Sequence, residues 1–156
     1  FLEREEHTEA GVRLTSFLHP RKQKIFNRYF RQTPSKIQYE LAQVFRKGLG
    51  QAKDDKLAFE WFQRAASSTD PYPKALTMLG YLYQSGTGTV ADPVEAGRWY
   101  QRGVDKGEAM SMFNLGMMYL KGKGVREDAD KAEQLIVQAA QRGNQPAQQT
   151  RNRLGF

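Results

Sequence analysis

The residues of this chain whose types could do chemistry are Asp54, Asp92 and Asp128, the glycine pairs Gly48/Gly50, Gly86/Gly88 and Gly122/Gly124, and the two histidines His7 and His19. Aspartates can act as general acids or bases. A Gly-x-Gly loop can present backbone N–H groups to a phosphate. Histidines can ligate zinc. None of these completes a reaction centre. No second histidine stands at ligand spacing from His7 or His19, so no metal site is expected. Neither a G-x-S-x-G elbow nor a P-loop lysine motif is present. With no cysteine, the chain has no thiolate ligand, disulfide or cysteine nucleophile. No catalytic residue and no cofactor is expected.

The aspartates and glycines are better explained by repetition. Leu41, Leu79 and Leu115 stand 38 and 36 residues apart, and the same offsets relate Phe45, Tyr83 and Tyr119, both columns of each glycine pair, the three aspartates, and Ala58, Ala96 and Ala132. Trp61, Trp99 and Leu135 follow the same register. A chemical site occurs once, whereas a structural turn or cap recurs in every unit. The glycines therefore read as helix stops, since glycine accepts the left-handed conformation. The aspartates read as N-caps: Asp92-Pro93-Val94-Glu95 combines a capping acceptor, a first-turn proline and a glutamate three residues on. Trp61 and Trp99, beside Phe62 and Tyr100, read as core.

Each unit thus consists of two amphipathic helices. Ser111, Leu115, Met118 and Tyr119 form the apolar stripe of one first helix; Ala96, Trp99, Tyr100 and Gly103 form that of a second helix. A single helical hairpin cannot bury such stripes, but stacked hairpins share a core. The expected fold is all-α: a right-handed α/α solenoid of three hairpins, residues 36–72, 73–108 and 109–146, with a helical arm at 1–35 and a capping or truncated helix at 147–156. The 156 residues carry a net charge of +7. The excess lies at the ends: 7 basic against 4 acidic groups in 1–35, 15 against 13 in 36–146, and 2 against none in 147–156. No apolar run is long enough to span a membrane. The chain opens on Phe1 rather than Met, the reading of a processed or trimmed chain.

The pattern A-x3-L-G-x2-Y-x2-G-x-G-x3-D-x3-A-x2-W-Y-x2-A-A-x2-G resembles the Sel1-like repeat, a tetratricopeptide-type α/α repeat. Unit two carries it in Ala75, Leu79, Gly80, Tyr83, Gly86, Gly88, Asp92, Ala96, Trp99 and Tyr100; unit three in Leu115, Gly116, Tyr119, Gly122, Gly124, Asp128, Ala132, Ala139, Ala140 and Gly143. Unit one is a weaker copy, with Ala42 for the helix glycine and Phe45 for the tyrosine. The resemblance implies a non-enzymatic scaffold or adaptor that binds another protein or peptide on the concave face lined by first helices. A bacterial periplasmic or envelope setting, envelope assembly, and neutralisation of an effector are further implications of the resemblance alone. Homo-oligomerisation is compatible with it.

Counting from the leucine anchors, the outward partner-binding positions are Tyr39, Gln43 and Arg46 in unit one, Thr77 and Tyr81 in unit two, and Met110, Phe113, Met117 and Lys121 in unit three. The track changes from basic and polar to apolar. Methionine and aromatic side chains adapt to partner surfaces, so Met110, Phe113 and Met117 are candidate anchors for a bound peptide or helix. The other reading is that the superhelix or the terminal helix covers them. A rival function rests on residues 21–36, where Arg21, Lys22, Lys24, Arg28, Arg31 and Lys36 surround a face of Ile25, Phe26, Tyr29 and Phe30. Such a segment suits nucleic acid or an anionic membrane surface, or else caps the open end of unit one.

Overall fold

A computed structural model describes residues 34–50 and 52–156. The amino-terminal arm, with both histidines and most of the basic aromatic segment, lies outside the described residues. Seven helices follow in order: α1 Ser35–Lys47, α2 Asp55–Ser67, α3 Pro73–Ser85, α4 Pro93–Asp105, α5 Ala109–Lys121, α6 Ala129–Gln141 and α7 Gln145–Leu154. No strand occurs among the described residues. The first six helices are hairpins of 13-residue partners, α1/α2, α3/α4 and α5/α6. The all-α solenoid expected from the repeat is the fold observed.

Local chemistry sets each boundary. The first helices end on Gly48, Gly86 and Gly122, at φ 69°, 69° and 58°. The second helices open on Asp54, Asp92 and Asp128, whose carboxylates accept from the N–H groups of Leu57, of Val94 and Glu95, and of Lys131. The same aspartates close each hairpin through the backbone, their N–H groups donating to the carbonyls of Phe45, Tyr83 and Tyr119 at 3.0, 2.8 and 3.1 Å. One sequence expectation is corrected in detail. Glu95 does not return to the cap as a reciprocal partner; its carboxylate accepts from Arg98 at 2.6 Å.

In units two and three the second glycine of the pair joins one unit to the next. Gly88 lies against the Asp55 carbonyl at the start of α2, and Gly124 against the Pro93 carbonyl at the start of α4. Both have φ above +70°, and a Cβ at either would collide with backbone. Each turn therefore stacks on the second helix of the preceding unit only because it lacks a side chain.

The core runs along the row. Ala65 and Ala66 of α2 pack with Ala75, Leu76 and Leu79 of α3, while Ala96 and Tyr100 of α4 pack with Leu115 and Met118 of α5. Ala139 and Ala140 of α6 continue the pattern with Ala147 of α7. Every first helix from α3 onward thus rests on the second helix of the unit before. Trp61, Phe62 and Tyr100 are completely buried, and burying side chains of this size stabilises by roughly 1.5–3 kcal/mol each. The first helices also touch one another in succession, α1 with α3 and α3 with α5, and their side chains away from the core form what is called the inner row.

Candidate binding surface

The inner row is built from first-helix side chains that the core stripe does not use. On α1, Gln43 Nε2 donates to the Tyr39 hydroxyl at 2.8 Å, and Arg46 Nε donates to Gln43 Oε1 at 2.9 Å. The chain of bonds fixes the guanidinium of Arg46 while leaving its terminal nitrogens without an ion pair among the described residues. Tyr39 is only half open, since its ring packs against Phe62 at 5.5 Å and Tyr72 at 5.0 Å.

On α3, Tyr81 stands out with half of its surface exposed. Beside it lies a polar group that the repeat pattern conceals. The Tyr100 hydroxyl donates to Gln84 Oε1 at 2.8 Å, with Asn114 and Tyr81 close by. Burial pushes the Tyr100 phenol far above its usual range, so it stays neutral and acts as a donor. Tyrosine at position 100 reads in sequence as core alone. Its hydroxyl instead reaches back to the inner row and orients the Gln84 amide.

The predicted track does not form one open surface. Thr77 is engaged with the fold: its hydroxyl shares a 2.6 Å hydrogen bond with that of Ser111, which is fully buried. Phe113 and Met117 are half-buried against the cluster of Met112, Ile136, Ala139, Ala140 and Ala147, where Phe156 also packs. Helix α7 contributes Ala147 to that cluster, so these side chains complete a core that the terminal helix closes. Met110 remains 38% exposed, with its sulfur near the Asn144 amide at 3.7 Å. Lys121 is exposed at the end of α5. The structure therefore gathers Gln43, Arg46 and Tyr81 on accessible inner-row positions, keeps Met110 and Lys121 open at unit three, and assigns Thr77, Phe113 and Met117 largely to packing.

Two arginines escaped the sequence reading. Arg64 lies over Trp61 at 4.7 Å and Arg102 over Trp99 at 4.6 Å, three residues after each tryptophan. Burial lowers the Arg64 pKa, opposed by Glu60. Unit three has Leu135 and Gln138 at these positions, losing both members together. That paired change was the available signal. Among the described residues there is no cluster of three potential metal ligands, and no helix is long and apolar enough to cross a membrane.

The Sel1 repeat family model matches residues 35–70, 73–108 and 109–144. Among solved structures, a Sel1 repeat protein from Oxalobacter formigenes is 31% identical, with a TM-score of 0.67, over 74% of this chain and 86% of that one. A protective antigen of uropathogenic Escherichia coli strains, displaying an SLR fold, is 27% identical with a TM-score of 0.70; the match covers 81% of this chain and 26% of that one. Cysteine-rich protein B of Helicobacter pylori shares the fold at 19% identity and a TM-score of 0.57, over 74% of this chain and 95% of that one. Repeats of this kind are generally protein-interaction modules and typically non-catalytic. By its three consecutive matches and its stacked helical hairpins, this chain belongs to the Sel1 repeat family.

Proposed function

We propose that this protein is a non-enzymatic scaffold whose inner row of first helices binds an extended segment of a partner protein. The observation that carries this reading is the half-exposed ring of Tyr81 at the middle of the row, flanked by the oriented amide of Gln84. A buried core has no use for that exposure, and exposed tyrosines recur as anchors of binding surfaces. Two before and two, five and six after the leucine anchors, the charged residues of the three first helices are Arg46, Lys47 and Lys121, all cationic, while Glu40 stands exposed on α1 at the register of Asn114. Guanidinium and ammonium groups at the two ends of the row suit carboxylates. The amides of Gln43, Gln84 and Asn114 between them suit a peptide backbone. The preferred partner is therefore an acidic segment carrying at least one apolar or aromatic side chain.

The test is capture from an extract of the source cell by immobilised wild-type protein, by Tyr81→Ser and by Arg46→Glu, each with its melting curve recorded. A partner retained by wild type and lost from both variants, with melting unchanged, supports the inner row. Equal retention by all three proteins overturns it.

A further inference from the structure

The Tyr100 hydroxyl gathers two side-chain amides from neighbouring repeat units. Tyr100 is completely buried on α4, and its hydroxyl donates to Gln84 Oε1 on α3 at 2.8 Å. The Asn114 amide of α5 approaches the same oxygen and favours its ionised form, as a donor does. One phenol oxygen thus holds the Gln84 carbonyl and the Asn114 amino group turned inward. The opposite end of each amide is left over: Gln84 keeps its N–H donors and Asn114 its carbonyl acceptor. No hydrogen bond among the described residues uses either group. Both side chains are partly exposed, and Tyr81 stands half-exposed beside them.

This arrangement occurs once. At the same registers one unit earlier stand Phe62, Arg46 and Met78; one unit later stand Ile136, Leu120 and Thr150. Neither set has a phenol or a side-chain amide, so the stack closes without the trio at both other places. The glycine stops and aspartate caps recur because every unit needs them. A polar trio confined to the middle of the row answers no requirement of the repeat.

Resting on the inner-row reading above, we propose that Gln84 Nε2 and Asn114 Oδ1 grip the backbone of the bound segment at one residue, with Tyr100 as the positioning residue for both amides. In an extended chain the C=O and N–H of one residue point to the same side, which is how residues of paired strands exchange two bonds. Gln84 donates to that C=O, and Asn114 accepts from that N–H. Tyr100 stays buried and touches no partner; it fixes which end of each amide faces out. Without its hydroxyl either amide is free to turn over, and the donor–acceptor sense is lost. The grip accepts many side chains at the held residue but not proline, which has no N–H. It also sets the register in which an apolar side chain of the segment meets Tyr81.

The probe is a synthetic peptide taken from a displayed random-sequence library selected on the full-length wild-type chain, kept only if Tyr81→Ser removes its binding. Each backbone N–H of the peptide is methylated in turn, and affinities are measured for wild type, Tyr100→Phe, Gln84→Leu and Asn114→Met. Phe62, Leu120 and Met78 occupy those registers elsewhere in the stack, so each variant inserts a side chain that the repeat already accommodates. Melting curves check that the variants are folded. One interior methylation is expected to weaken binding to wild type about tenfold, and the unmethylated peptide to bind each variant about three- to tenfold more weakly, the range for one or two neutral hydrogen bonds. The penalty for that methylation should shrink in Asn114→Met and in Tyr100→Phe, a coupling that a change in stability alone does not produce. A library that yields no Tyr81-dependent peptide would overturn the inner-row reading and the grip with it. A Tyr81-dependent peptide that binds wild type and Tyr100→Phe equally, or whose methylation profile is the same on both, would leave the inner row standing and overturn the grip.

Discussion

The ring of Tyr100 lies directly on Gly80, where a Cβ would stand 2.6 Å from the ring edge. The pair packs the two helices of the middle hairpin together, and a similar crowding recurs in unit three, where a Cβ on Gly116 would stand 2.9 Å from the Ile136 side chain. Unit one has Ala42 at that position and the smaller Phe62 opposite it.

Gly80→Ala should therefore overpack the hairpin. The expected loss is about 1–3 kcal/mol, the range for inserting a methyl into a filled core. Helix propensity works in the opposite direction by up to roughly 1 kcal/mol, so a denaturant midpoint at or above that of wild type would contradict the close contact.

Alkaline stability should report Tyr100. Burial raises its pKa in the folded protein, while an unfolded tyrosine ionises near ~10. Below that value both states hold the proton and the native contribution is complete. Above it only the unfolded chain ionises, so stability falls with rising pH, by at most about 1.4 kcal/mol per pH unit for this one group. Burial and the nearby Glu95 and Asp92 raise Tyr83 as well, adding to the slope. Tyr100→Phe should flatten the decline above pH ~10, measured by urea unfolding at a series of pH values.

The caps should behave as local fasteners rather than chemical groups. Asp92→Ala leaves the N–H groups of Val94 and Glu95 without their acceptor, which should cost ~1 kcal/mol. Asp92→Asn, an equally good cap, should recover most of that in a thermal melt. Asp128 is partly exposed, and hydrogen bonds from Lys131 hold its carboxyl below the usual range. Its contribution should be present at neutral pH and lost as the pH falls through that lowered value.

Phe113 and Tyr81 should separate packing from binding. Phe113→Ser removes apolar surface from the cluster that Ala147 and Ile136 complete, and should lower stability by roughly 1–3 kcal/mol. Tyr81→Ser, on a half-exposed ring, should change stability by under about 1 kcal/mol. Comparable losses in calorimetry would show that Tyr81 serves the fold and would remove the basis for the inner-row site.

Much of this architecture is written residue by residue. A glycine that must take positive φ, an aspartate that caps the next helix, and an alanine beneath a tryptophan are local requirements. Three copies in register made each of them legible: Gly48, Gly86 and Gly122 end helices and Asp54, Asp92 and Asp128 begin them, as their chemistry demands. What the sequence could not settle was which outward positions stay outward. Thr77, Phe113 and Met117 share the register of Tyr39, Tyr81 and Gln43, yet Ser111 and the Ala147 cluster claim them. Helical spacing specifies the direction of a side chain from its own axis, whereas its exposure depends on which other helix arrives there. For Phe113 that neighbourhood includes α7, more than 30 residues further along the chain, and only the stacked structure brings the two together.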